Sequence, residues 1–373
     1  MQGRTVSQSR RAFLRTGSIG VAGLVGLSWL PTPAAARPVF WAAPAGVPGY
    51  MVDPSWPKPL PEGWVTGEVG GTGVDAQDHL ITCNRRNLTD KEKAVGQPSA
   101  AMIEFDPDGN VVNAWTPDVL PDNLHGVYID DQSNVWIGGN QDAIVQKYTH
   151  DGSQLLLQIG TKGVFDTSDG TMQGTALNSS KTLLNRPADI AVDPANGEIY
   201  IADGYGNFRV IVFDKNGSFV RQWGEPATAE EAAAGVGGKF RGVVHSVNLG
   251  NDGNVYVCDR LGDRIQVFTK SGNYLRSIWI NRGAGAIQGG IGSAWDLDFS
   301  PDTAQVLIYS TNGWNEVMST IDRETGTVLS SFGRAGHMAG EFTYMHTIAA
   351  DSRSNLYVGE TVGGRRVQKL VPG

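Results

Sequence analysis

From Val69 onward, apolar and polar residues alternate in short runs broken by turn residues, the period-two pattern of β-strands. The pattern repeats. Residues 187–224 and 243–279 each read as four consecutive strands, with tight turns at Asn196-Gly197, Asn216-Gly217, Asp252-Gly253 and Ser271-Gly272. Glycine or asparagine there supplies the positive φ that a two-residue hairpin requires. Further copies are read at 67–115, 125–160, 294–333 and 345–370. Such a series predicts an all-β, six-bladed β-propeller over residues 63–373, with almost no room for long helices. The last copy lacks an outer strand. Residues 63–68 are expected to supply it, closing the ring and leaving no open sheet edge. The proline-rich run before them, residues 37–62, reads as an extended N-terminal arm.

Antiparallel geometry fixes which ends of the strands share a face. Connections after second and fourth strands, at 161–186, 225–242, 280–293 and 334–344, are long and glycine-rich, and such loops on a rigid scaffold are where sites are usually built. Within one of them, Glu230 to Ala234 reads either as a short helix or lid or as a flexible insert. First strands begin on that face, and three of them open with a histidine in the same register: His125, His245 and His346. The intervening copies hold Ala188 and Trp295 there. Alternate blades of a six-bladed ring stand about 120° apart, so the three imidazoles are expected to converge on the axis. Three imidazoles with a fourth position open make a zinc site of catalytic type. Taken singly, each histidine reads more simply as a polar residue at the channel mouth; the shared register favours the metal. His79, His150 and His337 fit no such register and read as surface or loop residues.

Second strands end on the same face, bringing Arg85, Arg260 and Tyr205 to the mouth. An arginine there can serve as a salt bridge between blades. Two guanidinium groups beside a dication, however, call for an anion, and a small substrate bearing a carboxylate is the simplest one. Tyr205 is either an ordinary loop aromatic or a base, because positive charge around a phenol favours its ionised form.

Length, charge and the first residues narrow the setting. The 373 residues suffice for one large β domain; 18% are charged and the net charge is -8, which together with the absence of any basic run interleaved with aromatics excludes a nucleic-acid partner. Ser9-Arg10-Arg11-Ala12-Phe13-Leu14-Arg15, the apolar stretch from Thr16 to Leu30 and Ala34-Ala35-Ala36 read as a twin-arginine export signal over residues 1–36. The expected partner is the twin-arginine export machinery, and the expected location is periplasmic or secreted. A monomer is expected. Cys83 and Cys258 fall in blades on opposite sides of the ring and are read as small buried hydrophobes, not a disulfide.

The repeats resemble the NHL type of propeller repeat. The stretches Asp203-Gly204-Tyr205, Gln222-Trp223-Gly224-Glu225, His245-Ser246, Asp259-Arg260, Arg264-Ile265-Gln266, His346 and Leu356-Tyr357-Val358-Gly359 resemble the peptidyl-α-hydroxyglycine α-amidating lyases, most densely from Asp193 to Leu370. That resemblance implies zinc on His125, His245 and His346, Tyr205 as catalytic base, and Arg85 and Arg260 around the substrate. Arg86 adjoins Arg85 and competes for its role. The implied reaction is cleavage of an N-acyl-α-hydroxyglycine to an amide and glyoxylate. Two departures stand out: Gly206 replaces a half-cystine of the family, and Thr347 replaces an aspartate that helps to hold a structural calcium, which argues against calcium. No copper monooxygenase domain precedes the propeller, so a hydroxylated substrate is expected to come from elsewhere. Two rival readings remain: a calcium-dependent lactonase-type hydrolase, whose site would need Glu, Asn and Asp where this chain has histidine, and a non-catalytic NHL-repeat binding platform.

Overall fold

The computed structural model describes residues 40, 41, 43–282 and 290–373; the leader read at 1–36 lies outside them. Six antiparallel sheets follow one another along the chain. Blade 1 consists of Val69–Val74, Leu80–Asn84, Met102–Phe105 and Val111–Trp115. Blade 2 runs from Leu124–Ile129 through Val135–Gly139 and Ile144–Tyr148 to Leu155–Ile159. Blade 3 spans Asp189–Val192 to Phe219–Trp223, blade 4 Val244–Leu249 to Tyr274–Trp279, and blade 5 Asp296–Phe299 to Val328–Phe332. Blade 6 contributes Met345–Ala350, Leu356–Glu360 and Val367–Pro372.

Middle strands are covered on both faces by neighbouring blades, so they lose the half-exposed alternation and become continuously apolar. Val255, Tyr256, Val257 and Cys258 in blade 4 show this, all buried in sequence. Outer strands are only part-buried, as Phe219–Trp223 is. The core is divided among the blade junctions. Ile190, Ile201 and Ile211 of blade 3 pack on Trp136 and Val145 of blade 2, and Ala349 and Tyr357 of blade 6 pack on Leu80 and Ile103 of blade 1. That last junction closes the ring. Around the axis each first strand packs against the first strands of both neighbouring blades.

Closure differs from the sequence expectation. Tyr50–Val52 pairs antiparallel with Val367–Pro372 as the fourth strand of blade 6, and Phe40–Trp41 adds a fifth. The stretch expected to do this, residues 63–68, instead has Trp64–Val65 paired in parallel with Gln97–Pro98 beside blade 1. The physical reason is distance. An outer strand lies three strand spacings, about 14 Å, from the first strand of its blade, so the chain needs a connection between the two. Residues directly abutting Val69 are used up by that crossing. Tyr50–Val52 therefore belongs to the last blade even though it lies within the proline-rich segment read as an arm.

Helices are brief. Asp90–Lys93 and Ala229–Ala233 each begin with a threonine capping box, Thr89 with Glu92 and Thr228 with Glu231. The second of these is the helical alternative for the 225–242 connection. Cys83 and Cys258 are both free and buried.

Candidate metal centre

His125, His245 and His346 stand at the starts of the first strands of blades 2, 4 and 6, each at or beside a β-bulge. A bulge rotates a side chain away from the regular pleat, and here it turns the imidazoles toward the axis. Opposite His125, the second strand of blade 2 carries Gly138, where a Cβ would lie 2.4 Å from the His125 carbonyl oxygen; a larger residue would force the two strands apart. The three rings lie 4.5 to 5.0 Å apart between centroids, and one nitrogen of each lies within 4.8 Å of the others.

Two of the rings have their tautomer fixed. His125 Nδ1–H donates to the Ala188 carbonyl at 2.6 Å and His245 Nδ1–H to the Trp295 carbonyl at 2.7 Å. These acceptors belong to the residues that replace histidine in blades 3 and 5, so the intervening blades hold the rings that the alternate blades supply. With Nδ1 protonated, Nε2 carries the lone pair. His346 Nδ1 is buried without a partner. Burial, first of all, drives all three imidazoles well below the ordinary histidine range, and the positive charges of Arg85 and Arg260 act in the same direction. Three buried, neutral, converging imidazoles, two of them oriented by carbonyls, fit the donor set of a zinc centre.

Tyr205 follows the second strand of blade 3, and its hydroxyl lies 3.1 Å from His125 Nε2 and 3.0 Å from His245 Nε2. Arg260 Nη1 donates to the same oxygen at 3.2 Å, while its guanidinium lies 4.6 Å over the Trp295 ring. Arg260 Nε is buried with no partner. Arg85 also reaches the mouth but is already engaged: Nη1 meets Glu68 Oε2 at 2.5 Å and Thr361 Oγ1 at 3.0 Å. Arg86 turns away, its Nε donating to the Ser99 carbonyl. A pocket of about 220 Å³ is lined by Arg85, Tyr205, Arg260, Trp295, Tyr344 and His346, among others.

Three contributors escaped the sequence reading. Glu68 neutralises Arg85, Arg186 Nη2 holds the Tyr205 carbonyl at 2.7 Å, and Trp295 provides both a carbonyl for His245 and a face for Arg260. Only Trp295 had a signal in the sequence, because it sits in the histidine register.

Residues 184–213 match the NHL repeat family. Over 315 residues the chain is 26% identical to peptidyl-glycine alpha-amidating monooxygenase B of Xenopus laevis, covering 79% of this chain and 33% of that protein. It is 24% identical to peptidyl-alpha-hydroxyglycine alpha-amidating lyase 1 of Drosophila melanogaster over 77% of this chain and 51% of that one. The chain is thus similar in sequence to amidating enzymes and lyases. It spans about a third of the length of the first Xenopus laevis protein. NHL repeat-containing protein 3 of Homo sapiens is matched at 27% identity across 87% of this chain and 84% of its own length. Among solved structures, a streptogramin B lyase superposes with a TM-score of 0.57 at 11% identity, covering 87% of this chain and 98% of that one, which shows the shared propeller fold.

Proposed function

We propose that this chain is a zinc-dependent carbon–nitrogen lyase that cleaves an N-acyl-α-hydroxyglycine-type carbinolamide to an amide and glyoxylate. The observation that carries the reading is the Tyr205 hydroxyl, set against two imidazole nitrogens and one guanidinium at the edge of a pocket sized for a small acid. Zinc held by His125, His245 and His346 would supply Lewis acidity, making the substrate's hydroxyl a better proton donor. Arg260, with an unpartnered Nε, receives the substrate carboxylate as a planar fork; Arg85, already paired with Glu68, completes the positive rim. Tyr205, as the phenolate, accepts the hydroxyl proton at Oη and becomes the neutral phenol. The carbon–nitrogen bond then breaks, its electron pair leaves on the amide nitrogen, and the carbinol carbon becomes the aldehyde carbon of glyoxylate. The proton returns from Tyr205 to that nitrogen, so the hydroxyl proton ends on the amide and the atoms balance. In this proposal the leader at 1–36 sends the folded enzyme through the twin-arginine route, and the reaction takes place in the periplasm or outside the cell.

Ureidoglycolate carries the same hydroxyl, carboxylate and leaving nitrogen as a peptidyl hydroxyglycine. The test is therefore glyoxylate release across a panel of α-hydroxyglycine derivatives that includes both. Release from at least one member, lost on chelation and restored by zinc, is expected. No release from any member by the zinc-loaded protein sinks the proposal.

A further inference from the structure

On the opposite face of the ring from the three histidines, four side chains meet at the junction of blades 1 and 2. Asp75 and His79 belong to the turn joining the first two strands of blade 1, Glu104 lies on its third strand, and His150 follows the third strand of blade 2. His79 Nδ1 is 2.7 Å and His150 Nε2 3.3 Å from Glu104 Oε1, and the same nitrogens are 3.9 and 3.7 Å from Asp75 Oδ2. Ligand atoms of Asp75, His79 and Glu104 all lie within 4.8 Å of one another. The Asp75 side chain is 1% exposed, and its Oδ2 is buried without a hydrogen-bond partner.

Comparison with the other blades shows what is missing. The Asp75 turn recurs with an aspartate at the same place in blades 2, 3 and 6, and there the aspartate's second oxygen always has a donor. In blade 2, Asp130 Oδ2 meets Lys147 Nζ at 2.9 Å and Trp136 Nε1 at 3.0 Å. In blade 3, Asp193 takes Lys270 Nζ at 2.5 Å; in blade 6, Asp351 takes Asn355 at 2.7 Å and Tyr357 at 3.2 Å. Blades 4 and 5 carry Gly250 and Ser300 at this place. Strand register makes the substitution in blade 1 plain. Lys147 pairs with Trp136 and Lys369 with Tyr357, six residues beyond their aspartates, and at the matching place Ile81 pairs with Glu104. A carboxylate thus stands where blades 2 and 6 place an ammonium. His79 likewise replaces the asparagine found at Asn134 and Asn355.

The tautomer of His150 adds a second argument. Its Nδ1–H donates to the Ser133 carbonyl at 3.0 Å, so in the neutral ring Nε2 presents a lone pair to the Glu104 and Asp75 oxygens. Lone pairs of nitrogen and two carboxylates facing one another need a cation between them, since buried carboxylates are paired or coordinate metals. Two imidazoles with two carboxylates suit a first-row divalent transition ion, zinc above all, over calcium or magnesium, which prefer all-oxygen shells.

We propose that Asp75, His79, Glu104 and His150 form a second transition-metal site, distinct from the three-histidine centre, that clasps blade 1 to blade 2. The probe is zinc alone, measured by equilibrium dialysis with elemental analysis on the chelator-stripped chain, and by the melting temperature with and without zinc. His346→Ala, which disables the other centre, should still bind about one zinc per chain and melt higher when zinc is added. Adding Glu104→Gln and His150→Ala to that variant should abolish both effects. Glu104→Gln is close to isosteric, so the change reads ligation and not packing. Either of two results overturns the proposal: no zinc on His346→Ala, or undiminished zinc on the triple variant.

Discussion

The Tyr205 oxygen touches two imidazole nitrogens and the Arg260 guanidinium, so a single atom can be removed from the candidate site with little change in volume. Tyr205→Phe is expected to lower glyoxylate release by roughly 10²- to 10⁴-fold, the usual worth of a positioned acid or base, while zinc content stays unchanged. Full activity in that variant would remove Tyr205 from the proposed chemistry. At this scale the sequence showed much. The shared register singled out His125, His245 and His346, and the strand ends singled out Arg85, Arg260 and Tyr205. It did not show which arginine is free. Arg85 and Arg260 look alike along the chain, but only three-dimensional contact gives Arg85 the Glu68 carboxylate and leaves Arg260 Nε unpaired. The same blindness hid His79 and His150, read as surface or loop residues, because Glu104 comes from another strand of blade 1 and His150 from blade 2.

First strands of a propeller are the inner ends of separate sheets, so their backbones cannot form a continuous ladder around the axis. Half-buried aspartates bridge several of these gaps. Asp189 accepts the Val247 N–H, Asp296 the Ile348 N–H and Asp298 the Ala350 N–H, each across to a later blade. These carboxyls line an axial cavity of about 240 Å³. Burial, first of all, pushes the Asp298 carboxyl up to about 7 against the opposing pull of the Ala350 and Phe299 amides, and burial also raises Asp189 and Asp296. A carboxyl whose folded pKa exceeds its unfolded value binds more protons in the fold than in the open chain. Its contribution to stability is therefore full below the unfolded value of about 4 and is lost as pH rises through the folded value. Asp298→Asn should flatten the decline in melting temperature between about pH 4 and pH 7. An identical pH profile in wild type and variant would show that Asp298 does not titrate in this window. The sequence marked these strands through their alternation, yet the role of the aspartates as bridges depends on which blade lies next door.

For the whole molecule, closure rests on Tyr50–Val52 lying beside Val367–Pro372. Tyr50 is fully buried, stacked on Phe332 at 5.5 Å and edge-on to Tyr309 at 6.0 Å. Tyr50→Ala is expected to cost about 3 kcal/mol or more, the range for emptying an aromatic core position, and to uncover the outer edge of blade 6. Chemical denaturation checks the first effect and light scattering the second; a stability within about 0.5 kcal/mol of wild type would show that closure does not depend on this side chain. Local chemistry written along the chain was enough for the number of blades, the strand order within each and the face that carries the histidines, because period-two alternation and hairpin turns are properties of neighbours in sequence. Tertiary structure alone decided which segment closes the ring, which of the two arginines is tied to a carboxylate and which carboxylates and imidazoles gather at the junction of blades 1 and 2. Those outcomes depend on contacts between residues far apart along the chain, and such contacts are fixed only when the last blade packs against the first.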